Sequence, residues 1–217
     1  HLSIRRQRQM CIRDRLGHRS GSDFSQLFEI GSVTQSDKHI EVIAADVKAQ
    51  LEITARFEFV GGGVLLVSQS LRNTGSTDFT VEDLSAFMPL PDQIQESMDF
   101  TGRWVKERQP QRREIQSGIF SRELREGRSS HDYTIMQLAM TQGAGYQLGE
   151  VYALGVLFSG NLRHMIERQP GGRTHIAAGE LLLPGEVILA PGESYNAPAV
   201  AAIYLSLIHI SEPTRPY

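Results

Sequence analysis

The densest group of side chains able to do chemistry lies in GIFSRELREGRSSHDYTIM, residues 118–136. Arg122, Glu123, Arg125, Glu126, Arg128, Ser129, Ser130, His131 and Asp132 crowd between two apolar stretches. Such a run is either a solvated loop whose local ion pairs contribute little or a functional loop carried on a rigid scaffold. In the functional case Arg128, Ser129, Ser130 and His131 are the substrate-binding candidates. Guanidinium, hydroxyl and imidazole groups at a loop tip suit hydrogen bonding to a polyhydroxylated ligand. The neighbours Ser130-His131-Asp132 do not form a nucleophilic triad by adjacency, because successive side chains of an extended chain point to opposite sides. Glu123 and Glu126 are an odd number of residues apart and fail as a catalytic acid pair for the same reason. No residue is assigned as a catalyst.

Other chemistry is sparse. His18, His39, His131, His164 and His175 are scattered, and the one cysteine of the chain is Cys11. No metal site and no cofactor are therefore expected. Gly61-Gly62-Gly63 falls between two strand patterns. A phosphate-cradling loop needs free N–H groups at a helix start, so a hairpin turn is the better reading.

The elements that must position the loop read as strands. From Val47 to Phe59 apolar and polar residues alternate, with Val47, Ala49, Leu51, Ile53, Ala55, Phe57 and Phe59 on one side. This predicts one long strand with a wet face. Val64 to Leu71 returns from the glycine turn as a hairpin, and Asn73-Thr74-Gly75-Ser76 turns the chain again before Phe79–Leu84. Residues 85–114, with Pro89, Pro91 and Pro110, are expected to form a long excursion of short strands. Phe87, Met88, Phe100 and Trp104 need burial there. Trp104 is expected in the core rather than stacked on a sugar. Further strands are predicted at 115–124, 133–140, 150–158, 162–168, 174–178, 187–189 and 199–204. No helical stripe with caps is present. About ten strands joined by turns imply an all-β fold, a large two-layer antiparallel β-sandwich.

The two ends stand apart from this pattern. Met10-Cys11-Ile12-Arg13-Asp14-Arg15 back-translates to a string whose reverse complement reads as Leu205 to His209. Residues 1–15 and 205–217 therefore resemble sequencing-library adapter, as in a metagenomic gene fragment, and are set aside. Residues 16–204 remain as one truncated domain, whose true start and stop lie outside it. Setting the ends aside removes six basic and two acidic residues. Lys plus Arg falls to 16 and Asp plus Glu to 23, a net charge of −7 where the whole chain has −3. An acidic domain is a poor partner for nucleic acid or an anionic membrane, and no apolar run approaches the ~20 residues of a membrane span. A domain without cysteine fits a bacterial cytoplasm.

Three stretches carry a family likeness: FTGRWVKERQPQRREIQSG (100–118), RELREGRSSHDYTIMQLA (122–139), and GEVYALGVLFSGNLRHMIE (149–167) followed by LAPGESYNAPAVAAIY (189–204). In order and spacing they resemble the N-terminal domain of α-galactosidases of glycoside hydrolase family 36. They match its G-x-W-x-x-E-R run, its R-G-x-[ST]-S run, its S-G-N strand and its closing P-G-E segment. After Ser129-Ser130-His131 the family often has Asn-Pro-Phe, where this chain has Asp132-Tyr133-Thr134. The resemblance implies a supersandwich of the galactose-mutarotase kind. It implies a parent that removes terminal α-galactose with retention, using two aspartates on a following (β/α)₈ barrel. The domain itself is then non-catalytic. Its expected partners are that barrel, further copies of the parent in a homo-oligomer, and a galactoside substrate met at the pocket rim. Two other readings stand beside it. A free-standing carbohydrate-binding sandwich would show an exposed aromatic strip. A mutarotase-like epimerase would bring His131 or His175 together with Glu180 as base and acid.

Overall fold

A computed structural model describes residues 16–133 and 136–206. The adapter-like residues 1–15 and most of 205–217, together with Thr134 and Ile135 of the strand expected from Tyr133, lie outside that description. Among the described residues every regular element is a strand. They are β1 (Gly17–His18), β2 (Glu29–Gln35), β3 (His39–Asp46), β4 (Leu51–Phe59), β5 (Val64–Asn73), β6 (Phe79–Val81), β7 (Ala86–Leu90), β8 (Ile94–Arg103), β9 (Lys106–Glu114), β10 (Gly118–Leu124), β11 (Met136–Thr141), β12 (Glu150–Val156), β13 (Leu162–Arg168), β14 (Thr174–Glu180), β15 (Val187–Leu189), β16 (Ser194–Asn196) and β17 (Val200–Ser206). Leu205 and Ser206 complete β17, opposite Val151 and Glu150.

One layer is a large sheet in the order β2-β3-β4-β5-β17-β12-β11-β8-β9, with β16 on β5. The second layer is two small sheets, β10-β13-β14-β7 and β1-β6-β15. Every pairing is antiparallel. Both small sheets cover the same face of the large one. The β7/β10/β13/β14 sheet buries Leu162, Ile166 and Ile176 against Ala139, Leu154, Val200 and Ala202. The β1/β6/β15 sheet buries Phe79, Val81 and Leu189 against Ala44, Leu51, Ile53 and Leu71. The sequence follows from this. Alternate residues of β4 face that core, and Thr54, Arg56 and Glu58 take the other face.

The alternation over Val47–Phe59 does not mark a single strand. Residues 47–50 are a turn, and Val47 is 88% exposed. Asp46 explains the break: its Oδ1 accepts the N–H of Lys48 and of Ala49, both at 2.9 Å. An Asx turn of this kind reverses the chain. Residues 85–114 also depart from expectation. They hold β8 and β9, two of the longest strands, joined as a hairpin. The charges of β9 hid it from a periodicity reading. It is the edge of the large sheet, where Pro110 is tolerated and Lys106, Arg108 and Arg112 discourage pairing with another chain. The opposite edge, β2, carries a register shift between Ile30 and Ser32, which breaks its ladder in the same service.

Candidate functional site

The β8–β9 hairpin ends in a tight turn at Trp104-Val105, with Val105 at φ 68°. The loop from Arg125 to Tyr133 leaves β10 and folds against this hairpin. Gly102 permits the approach: a Cβ there would lie 2.6 Å from the carbonyl oxygen of His131 and 2.5 Å from that of Lys106. Any side chain at 102 would push the loop away.

A buried charge network fixes the base of the loop. Asp99 of β8 is 5% exposed. Its Oδ1 lies 2.6 Å from Arg113 Nη1 and its Oδ2 2.5 Å from Arg122 Nη1. Arg122 also donates to the carbonyl oxygens of Phe100 (2.9 Å) and Asp132 (2.8 Å), so one side chain ties β10, β8 and the end of the loop. Arg113 stacks on Phe120 with its guanidinium carbon 4.1 Å from the ring centre. Tyr133 closes the loop by burying its ring, its hydroxyl hydrogen-bonded to His164 Nδ1. Burial holds that phenol well above its ordinary pKa. Farther out, Gly127 N–H donates to Asn161 Oδ1 at 3.0 Å.

At the tip three side chains meet. Trp104 and His131 make an edge-to-face contact, ring centres 5.8 Å apart at 73°. Glu107 Oε1 lies 3.8 Å from His131 Nδ1 and accepts the Val105 N–H at 2.9 Å. Backbone hydrogen bonds, first at Glu107 itself and then at Val105, hold the Glu107 carboxyl below the usual carboxylate range. Trp104, expected in the core, is instead 76% exposed. The reason is its place in a two-residue turn beyond the reach of either layer. The structure thus brings His131 to the hairpin and leaves Arg128, Ser129 and Ser130 exposed along the loop. Trp104 and Glu107 are the members that a reading of the 122–132 run misses. The signal available for them is the tight turn between two strands, masked by the charges of β9.

An indole face beside a carboxylate, an imidazole and loop hydroxyls can hold a polyhydroxylated ring. The arrangement offers contact rather than bond cleavage. Among the described residues the buried carboxylates are Asp46, Asp83 and Asp99. Asp46 is held by backbone N–H groups, Asp83 by Ser85 and Arg163, and Asp99 by its two arginines. Glu180 accepts the Tyr195 hydroxyl, and on β14 it has the opposite parity to His175, so these two do not converge. Among the described residues no three His, Cys, Asp or Glu side chains cluster as a metal site would. A separate concavity of about 380 Å³ between β9 and β10 is lined by Arg113, Glu114, Gln116 and Phe120, and none of the loop candidates reaches it.

Residues 17–190 match the model of the glycosyl hydrolase family 36 N-terminal domain. The chain is 31% identical over 188 residues to an alpha-galactosidase of Escherichia coli, a match covering 87% of this chain and 27% of that protein. It is 27% identical over 172 residues to alpha-galactosidase AgaA of Geobacillus stearothermophilus, covering 78% of this chain and 24% of that one. The chain thus spans about a quarter of the length of these curated relatives. Among solved structures, GH36 alpha-galactosidase AgaA from Geobacillus stearothermophilus shares the fold with a TM-score of 0.77 at 21% identity, over 87% of this chain and 29% of that one. The galactosidase domain of the alpha-galactosidase-sucrose kinase AgaSK does so with a TM-score of 0.77 at 22% identity, over 88% and 29%.

Proposed function

This chain belongs to the glycosyl hydrolase family 36 N-terminal domain family, and from that membership we propose that it is the non-catalytic β-sandwich of an α-galactosidase. The parent hydrolyses terminal α-galactosides with retention, which needs two carboxylates about 5–5.5 Å apart. Both belong to the (β/α)₈ barrel that family members carry beyond this domain. The sandwich braces that barrel, contributes to contacts between copies of the parent in the bacterial cytoplasm, and lends the Trp104/His131 tip to the rim of the galactoside pocket. Arg128, Ser129 and Ser130 flank that rim.

The observation that carries this reading is the exposed Trp104, in edge contact with His131, which Glu107 faces in turn, where hairpin and loop meet. An exposed indole beside an imidazole and loop hydroxyls is a platform on which a sugar ring can stack and be hydrogen-bonded. In the intact parent, Trp104→Ala and Arg128→Ala are each expected to raise KM for an α-galactoside roughly tenfold, the equivalent of about 1.4 kcal/mol of binding. Thermal stability should be unmoved, since both side chains are exposed. An unchanged KM and kcat in both variants would return the tip to an ordinary solvated surface. The free-standing binding sandwich calls for an exposed aromatic strip, of which Trp104 at the hairpin turn is a single ring; calorimetric binding of galactose by the 217-residue chain alone would favour it.

A further inference from the structure

The middle of the large sheet is apolar on both faces, although both small sheets cover only one of them. Val64–Val67 of β5, Val200–Ile203 of β17, Val151–Val156 of β12 and Leu138–Met140 of β11 are continuous runs in which only Tyr152 carries a polar group, and none alternates with charge. Leu65, Val67, Val200, Ala202, Leu154, Val156 and Ala139 supply the inner face. The intervening residues form rows on the outer face. Ile203 stands opposite Ala153, Ala153 opposite Leu138, and Leu138 opposite Met98, one row across four strands. Leu66, Ala201 and Gly155 make the next row. Antiparallel strands with one wet face alternate, whereas strands buried on both faces read as unbroken apolar runs. The neighbouring β4 does alternate, with Thr54, Arg56 and Glu58 outward, and so separates these central strands from the short apolar run Val42–Ala45 of β3.

The strip also has borders. The loop between β11 and β12 covers one end of it, where Ala144 packs on Met140 and Val151. Arg56 and Glu58 form an ion pair at 3.0 Å on one side. Arg112 Nε donates to Glu96 at 2.8 Å on the other. From β5 to β8 the strip spans four strand spacings, about 19 Å. An apolar centre with a charged rim is the anatomy of a permanent interface. Along β8 the strip continues from Met98 to Phe100 and so to the Trp104 turn.

We propose that this outer face is the seat of the parent's catalytic domain. The proposal rests on the functional reading above and assigns the face through which it acts. Two observations select this occupant. The chain spans only about a quarter of its curated relatives, so most of such a protein is available to cover the strip. The strip runs into the candidate rim, so a body seated on it meets the Trp104 tip at its own edge, as a rim contribution requires. The helices ringing a (β/α)₈ barrel are elements that lay apolar stripes on such a face.

The test is thiol labelling read by peptide mass at the introduced cysteine, with Cys11→Ser also made in the 217-residue chain. Ile203→Cys and Leu66→Cys probe the strip. Phe59→Cys, 63% exposed on the opposite face, is the control. Each is made in the intact parent and in the 217-residue chain. The strip positions are expected to label readily in the chain and roughly tenfold or more slowly in the parent, where labelling waits on opening of the interface. Phe59→Cys should label alike in both. Equal labelling of Ile203→Cys and Leu66→Cys in parent and chain would overturn the proposal. So would protection of Phe59→Cys alone. Protection already present in the chain and lost on dilution would show a second copy as the occupant and overturn it too. Labelling does not depend on what the parent hydrolyses. A parent inactive on α-galactosides but protected at the strip would sink the functional reading and spare the face.

Discussion

Asp99 and Arg122 face each other across the gap between the two layers, carboxylate oxygen to guanidinium nitrogen at 2.5 Å. Asp99 belongs to the large sheet and Arg122 to a small one, and Arg113 completes the group. The bond welds the layers beside the candidate site.

Asp99→Ala leaves two guanidiniums facing each other beside a nearly buried gap. Removing one partner of a buried pair is strongly destabilising, and with the arginines still a quarter to a third exposed the cost should be about 3 kcal/mol. Urea denaturation of the chain would measure it. A shift below about 0.5 kcal/mol, the size of an ordinary surface change, would show that the network adds nothing.

Asn73 offers a second test, away from the site. It is fully buried, accepts from Arg19 Nη2 at 2.7 Å and from Gly75 N–H at 3.0 Å, and donates to Thr77 and Leu189 carbonyls at 2.8 Å each. Asn73→Ala strands several buried groups at once and should cost about 2–4 kcal/mol. Asn73→Asp keeps the acceptor for Arg19 and should cost less. If the two variants lose equal stability, the arginine bond is not what matters there.

The pH dependence has a definite sign. Burial holds the Tyr133 phenol above its ordinary value of 10.0, and burial with the Glu180 hydrogen bond does the same for Tyr195. A raised folded value means that the unfolded chain loses the proton first. The contribution is whole below about pH 10 and drains away as pH rises from there toward the folded values. Tyr195→Phe should flatten part of that alkaline fall in urea midpoints. An unaltered slope in Tyr195→Phe would contradict the assignment.

Catalysis by the chain alone is expected to be absent. A chromogenic α-galactoside incubated with the 217-residue protein should give no turnover above the uncatalysed rate, and clear release of the chromophore would overturn the accessory role.

The sequence made the sandwich legible through its period. Leu51, Ile53 and Leu71 alternate because one face is wet, and the strands at Leu162–Arg168 and Val187–Leu189 stand where the pattern places them. It concealed β2, β3, β8 and β9: β9, at the edge, carries charge on both sides and loses the alternation, while β8 beside it sets Ser97 and Asp99 on its inner face and Glu96 on the outer. The loop at 125–133 was visible from composition. Its partner was not: Trp104 reaches His131 from another hairpin, and contacts between remote segments leave no mark on local periodicity. A large aromatic residue amid strands reads as core unless the turn that ejects it is recognised first.

β17 lies between β5 and β12 at the centre of the large sheet. Before it, β2, β3, β4 and β5 form one ribbon and β9, β8, β11 and β12 another, with β10 in the other layer. Neither ribbon touches the other through a backbone ladder until residues 200–206 slide between them. The order of synthesis therefore governs the order of closure: the layer stays open until residues 200–206 emerge, and one late strand works as the zip. Such dependence on distant pairing slows folding and lengthens the time that apolar edges stand exposed to other chains.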